Sequence, residues 1–173
     1  MSRSLILGIN PGRNGAGLTG VPFTDSKRLI EKCQIQTDLK SHEPSSEFIY
    51  KMIDAFGGSN LFYGKYFIGS VSPIGFIKEG KNYNYYDESI LEKVLAPYIV
   101  YQMTRLLELK LKTKKIICLG EGKNFKFLSA LNDKHKWFDE IIPLAHPRFI
   151  MQYKRKQMDA YIDQYIKDLN TIL

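Results

Sequence analysis

The chain has 173 residues, 44% hydrophobic and 25% charged, with 25 basic side chains against 18 acidic ones and a formal net charge of +7. That length suits one domain burying roughly 70% of its unfolded surface, and the composition is that of a soluble globular protein. It excludes a membrane span, because no apolar run approaches the ~20 residues required, and no signal peptide is visible.

Cys33 and Cys118 are the two cysteines. They lack metal-ligand spacing, form no disulfide framework and are too few for a four-cysteine iron–sulfur cluster. A reduced, cytoplasmic setting is the default for such a chain. The basic balance favours a polyanionic partner.

Taken in order, Leu5 to Ile9 reads as a buried strand. A turn with five glycines between positions 8 and 20 follows it. Ser45-Ser46-Glu47 opens a helix to about Phe56, stopped by Gly57-Gly58. Tyr66 to Val71 is the second strand, ended by Pro73, and Lys81 to Asp87 is a loop rich in tyrosine and asparagine. Ser89 to about Leu109 is a long helix that Pro97 should kink or split. Lys115 to Leu119 is the third strand, closed by Gly120 and Gly122. Asn124 to about Lys134 is helical, Ile141 to Leu144 is a fourth short strand, and Gln157 onward is the last helix. No repeat or linker interrupts the pattern.

Short continuous apolar strands separated by helices predict a single-domain α/β three-layer sandwich. Its core is a central, mainly parallel four-stranded sheet with helices on both faces. Ligands of such folds bind outside the carboxyl ends of the strands. Asn10 follows the first strand, Ser70 to Pro73 ends the second, and Ala145-His146-Pro147 follows the fourth, so the three converge on one rim. Glycines free the backbone to lie against a ligand. With Asn10 delivered at the strand end and Phe23 closing the segment, the rim suits a flat polar ring.

At these residues the chain resembles the uracil-DNA glycosylase superfamily, and within it the single-strand-selective monofunctional branch and its bacterial relatives. Gly8-Ile9-Asn10-Pro11-Gly12 and Thr19-Gly20-Val21-Pro22-Phe23 match the branch's first motif at its spacing. His146-Pro147 sits where the second motif begins, and the order of strands and helices agrees over nearly the whole chain. Three departures stand out. Arg148 replaces the usual serine after His-Pro, Ser70 falls where the branch reads the base with asparagine, and the chain begins four residues ahead of Leu5, without the helical segment that normally precedes the first strand.

The resemblance implies a monofunctional DNA glycosylase that hydrolyses the N-glycosidic bond of uracil, with xanthine and 5-substituted uracil as further deaminated or modified bases, by flipping the base and stabilising it as a leaving anion. His146 would donate to the carbonyl oxygen on which charge grows, and Asn10 would orient the attacking water, since an amide takes no proton. The backbone at Ile9 and Gly12 would contact the base, Phe23 would stack on it, and Ser70 would read its edge with a rotatable hydroxyl. Glycine at position 12, where some relatives carry tyrosine against thymine's methyl, leaves room for 5-substituents. Arg148, Lys154, Arg155 and Lys156 would contact phosphates, with Phe149 or Tyr153 filling the gap left by the flipped base.

No metal or cofactor is needed, and no lysine stands out as a Schiff-base nucleophile. The expected partner is single- or double-stranded DNA, not a membrane. The protein is expected to act as a monomer, in the cytoplasm with the nucleoid. Two other classes stay open at this point: a non-catalytic nucleic-acid-binding relative, and a small nucleotide-binding protein using the first glycine loop for phosphate.

Overall fold

The computed structural model describes residues 2–173. Four parallel strands form the central sheet: β1 (Ser4–Gly8), β2 (Tyr66–Ser70), β3 (Lys112–Leu119) and β4 (Glu140–Leu144). Their spatial order is β2-β1-β3-β4. The order reverses between β1 and β3, and a crevice opens at the carboxyl ends at such a switch point.

Alternation along the strands decides the layers. Leu5 and Leu7 of β1, with Ile116 and Cys118 of β3, face helices α5 (Ser89–Leu107) and α6 (Lys123–His135) through Ile99, Met103 and Leu128. Ile6, Ile117 and Leu119 face the other way. There they meet α3 (Pro44–Phe56), α4 (Ser59–Lys65), α7 (Pro147–Tyr153) and α8 (Met158–Thr171). The sandwich with both sheet faces covered is as expected. No helix among the described residues is long and apolar enough to cross a membrane.

Several local expectations need correction. Pro97 neither splits α5 nor ends it, since the helix runs unbroken through Leu107. Pro97 and Lys93, whose carbonyl loses its partner, are both exposed residues, and a proline costs a helix least where solvent can reach the freed carbonyl. The segment read as a loop over 81–87 is partly strand. Phe76–Lys78 and Lys81–Tyr83 pair as an antiparallel hairpin. Its turn residues, Glu79 and Gly80, have φ of 50° and 70°, the pair of positive values that a type I′ turn requires.

Two short helices in the first crossover have no counterpart in the sequence reading: α1 (Ala16–Thr19) and α2 (Ser26–Cys33). The carboxylate of Asp25 caps α2 by accepting from the Arg28 amide at 3.1 Å. The glycines after β3 serve structure. Gly120 has φ of 116° and packs on Asn124, whose buried amide ties Leu119 and Tyr85 together.

Candidate active site

The carboxyl ends of β1, β2 and β4 open into a cavity of about 620 Å³. Ile9, Asn10, Gly12, Phe23, Ser70 and His146 all line it, and Arg148 stands at its edge. The six residues assigned from sequence to the base and the chemistry are thus neighbours in space.

Asn10 leaves β1 just before Pro11, and a residue before proline is held out of the helical region. Its Nδ2 donates to the main-chain carbonyl of Tyr83 at 3.3 Å. Because that carbonyl can only accept, the amide's orientation is set by chemistry. Oδ1 is then turned the other way, and it is the one buried side-chain N or O atom among the described residues without a hydrogen-bond partner. Buried acceptors are rarely left in that condition, which marks this oxygen for a ligand.

His146 also precedes a proline and has extended backbone, φ −65° and ψ 137°, as the N-cap of α7. The Tyr165 hydroxyl of α8 donates to the carbonyl of Ala145 and fixes the turn from behind. The imidazole Nδ1 accepts from the Arg148 amide at 3.1 Å, so in the neutral ring the proton sits on Nε2. Burial, reinforced by the Arg148 guanidinium, pushes the pKa down to about 4. At neutral pH the site therefore presents an uncharged imidazole with a free N–H donor. Phe23 lies beside it, with ring centroids 5.6 Å apart and planes tilted by 55°.

Phe23 holds a positive φ of 54°, a region where a bulky side chain is strained by about 1 kcal/mol or more. Gly8 makes room for the ring, since a Cβ there would meet Phe23 at 3.3 Å. Behind the glycine-rich turn lies a polar lock. Asp25 is fully buried and accepts from the Glu43 amide at 3.2 Å, the Ser46 hydroxyl at 3.0 Å and the Arg28 guanidinium at 3.0 Å. Burial alone would raise its pKa, but the amides of Glu43 and Arg28, the Ser46 hydroxyl and the Arg28 charge together hold it below the ordinary value. The lock pins the start of α3, and with it Glu43, against the turn.

Ser70 stands on the rim as expected, but its hydroxyl is not free to rotate. It donates to the carbonyl of Ser72 at 2.8 Å, leaving only acceptor capacity toward the cavity.

The segment from Arg148 to Lys156 divides. α7 buries Pro147, Ile150 and Met151 and turns Phe149 and Tyr153 outward, 42% and 66% exposed, with ring centroids 5.5 Å apart. Neither ring reaches the cavity wall. Arg155 does not stand ready for a phosphate: its guanidinium is clamped on both carboxylate oxygens of Glu47, at 3.0 and 2.9 Å. Lys154 and Lys156 lie on either side of it.

Sequence reasoning missed Glu43, Asn82 and Asn84, which also line the cavity. The hairpin brings in the two asparagines, and Glu-Gly flanked by alternating residues was the available signal for it.

Comparison with known proteins agrees with this geometry. The sequence pattern of the Uracil DNA glycosylase superfamily matches residues 1–170. The crystal structure of wild-type Pedobacter heparinus SMUG2 is similar over 99% of this chain and 76% of that one, with 50% sequence identity and a TM-score of 0.94. Among curated proteins none matches. These findings support a DNA glycosylase of uracil-DNA glycosylase type, with DNA as its partner. The chain belongs to the uracil DNA glycosylase superfamily.

Proposed function

We propose that this protein is a monofunctional glycosylase that hydrolyses the bond between a deaminated base and its sugar in DNA, with uracil the first substrate and xanthine and 5-substituted uracil behind it. The observation that carries this reading is the pairing, around one cavity, of an unpartnered buried amide oxygen on Asn10 with a neutral imidazole on His146.

Breaking the bond leaves negative charge on the base and positive charge on the sugar. A donor fixed in advance where negative charge grows lowers the barrier, and it does so best where water is excluded. The Nε2–H of His146 has that character: its other nitrogen is tied to the Arg148 amide, so the ring gives up no hydrogen bond to act. Asn10 Oδ1 accepts a hydrogen bond from one O–H of a water and so aims the water's oxygen at the sugar carbon. The attacking oxygen bonds to that carbon, the carbon–nitrogen bond breaks with its electron pair going to the base, and the water's second proton passes to solvent. The amide keeps its own protons throughout, so departure of the base carries most of the catalysis.

Reaching the cavity requires the base to leave the stack at a cost of a few kcal/mol, least for single strands and mismatches. Stacking on Phe23 returns about 1–3 kcal/mol. No lysine lines the cavity among the described residues, which supports hydrolysis without a lyase step. The test is incubation with single- and double-stranded oligonucleotides carrying uracil, xanthine or hypoxanthine, followed by alkali. Breaks at the uracil position support the reading, whereas binding without breaks points to a non-catalytic nucleic-acid-binding protein.

A further inference from the structure

Hydrolysis frees a proton from the attacking water, and neither residue assigned to the chemistry can hold it. The Asn10 amide takes no proton. The Nδ1 of His146 already accepts from the Arg148 amide, and its Nε2 must keep its hydrogen in order to donate. Among the described residues that line the cavity, Glu43 is the one carboxylate. Asp25, the buried acid behind the turn, is no substitute: its two oxygens already accept from Arg28, Ser46 and the Glu43 amide, and it does not reach the cavity.

Glu43 is the N-cap of α3, yet its side chain caps none of the helix amides. It keeps only 8% of its surface exposed. Oε1 accepts from the Ser45 hydroxyl at 2.7 Å, while Oε2 accepts no hydrogen bond among the described residues. A buried carboxylate oxygen without a donor is rare, and in a polar cavity wide enough for water it marks a place where water binds. That oxygen lies against the turn that carries Asn10, since a Cβ built on Gly12 would be 2.9 Å from it. Glycine at position 12 is what leaves room for the carboxylate. The positive end of α3 favours negative charge here, and the Asp25 lock holds the Glu43 amide at 3.2 Å.

Resting on the glycosylase reading above, we propose that Glu43 is a further catalytic residue, the general base that receives the proton of the attacking water. The water gives one O–H to Asn10 Oδ1 and the other to Glu43 Oε2. With both hydrogens held by acceptors, a lone pair of its oxygen is left free for the sugar carbon. The oxygen bonds to that carbon as the carbon–nitrogen electron pair leaves with the base. The O–H bond facing Glu43 breaks, its electrons stay on the oxygen, and the proton moves to Oε2 to give a carboxylic acid. Solvent then takes the proton and restores the carboxylate.

The test is single-turnover release of uracil from a single strand by the wild type, Glu43→Gln and Glu43→Ala, with and without added formate. Glutamine keeps the shape and an acceptor for Ser45 but takes no proton. It should slow release by about a hundredfold, with affinity for the uracil-containing strand within about threefold of wild type. Formate, a small carboxylate that fits the space vacated in Glu43→Ala, should speed that variant by about tenfold or more and leave the wild type and Glu43→Gln unchanged. A merely structural role would not respond to it. If the alanine variant does not fold, the glutamine variant decides by its rate and affinity. A glutamine variant within about tenfold of an active wild type, a loss of rate matched by an equal loss of affinity, or a folded alanine variant that formate leaves unchanged overturns this inference alone. A wild type that releases no uracil overturns the glycosylase reading and this inference with it.

Discussion

The side-chain amide of Asn10 is hydrogen-bonded to the main-chain carbonyl of Tyr83, 73 positions further along the chain and 3.3 Å away. The hairpin is fastened to the same loop a second time through Arg13 and Asn82, and Gly75 approaches Pro11 so closely that a Cβ there would lie 2.4 Å from the proline carbonyl. The orientation of the Asn10 amide is therefore set by an element outside the main sheet.

This makes a prediction about charge at position 10. Asn10→Asp exchanges the donor for a second carboxylate oxygen, which must face the Tyr83 carbonyl and be repelled by it. The variant should lose about 1–3 kcal/mol of stability, and amide exchange across residues 76–83 should quicken. Its rate at pH 7 should fall below wild type. A variant as stable as wild type with an unchanged hairpin would show that the latch does not matter.

The low pKa of His146 sets a pH window. Because the folded value, about 4, lies below the ordinary 6.5, the unfolded chain binds more protons between those limits. Stability from this group is present above pH 6.5 and is lost as pH falls toward 4, by about 3 kcal/mol at most. Chemical denaturation from pH 7 to 4 should show this loss in wild type and lack it in His146→Asn. Uracil excision should keep its full rate down to about pH 5 and fall with a midpoint near 4. A midpoint near 6.5 would mean that the imidazole is not held neutral by its surroundings.

The clamp between Arg155 and Glu47 predicts unequal roles for neighbouring cations. Replacing Lys154 or Lys156 by alanine should weaken DNA binding and flatten the salt dependence, by about 0.9 for each duplex phosphate that is no longer neutralised. Arg155→Ala should change it less, because the Glu47 carboxylate already balances that charge, and Glu47→Gln should tighten binding. Equal effects from all three cations, read from affinities across a salt series, would contradict this.

Ser70 bears on base choice. Its hydroxyl proton is committed to Ser72, so it offers the base only an acceptor, whereas asparagine would offer both a donor and an acceptor. Ser70→Asn should therefore raise the uracil-to-xanthine rate ratio, by about tenfold for one added hydrogen bond. An unchanged ratio would remove Ser70 from substrate selection.

Much of this was legible in the chain itself. The apolar strands alternate sharply with helices, and a residue set before a proline at a strand end, as Asn10 and His146 both are, announces where its side chain leaves the sheet. The hairpin was harder to read because its strands are three residues each and its turn depends on a non-glycine residue, Glu79, at positive φ. Pro97 misled because the cost of proline in a helix depends on whether water reaches the freed carbonyl, which is a property of the surface and not of the sequence nearby. Glu43 was invisible for a third reason: it comes to the cavity through Asp25, a contact across 18 positions that no local pattern encodes.

The central claim is that Asn10 and His146 serve one transition state from opposite ends of the bond that breaks, and a double-mutant cycle under single-turnover conditions tests it most directly. Asn10→Ala and His146→Ala should each slow uracil release by about a hundredfold or more. The double variant should be slowed by less than the product of the two, with oligonucleotide binding retained in all three, because groups serving one transition state are not independent. Folded variants that release uracil within threefold of wild type, or losses that multiply strictly, would contradict the account.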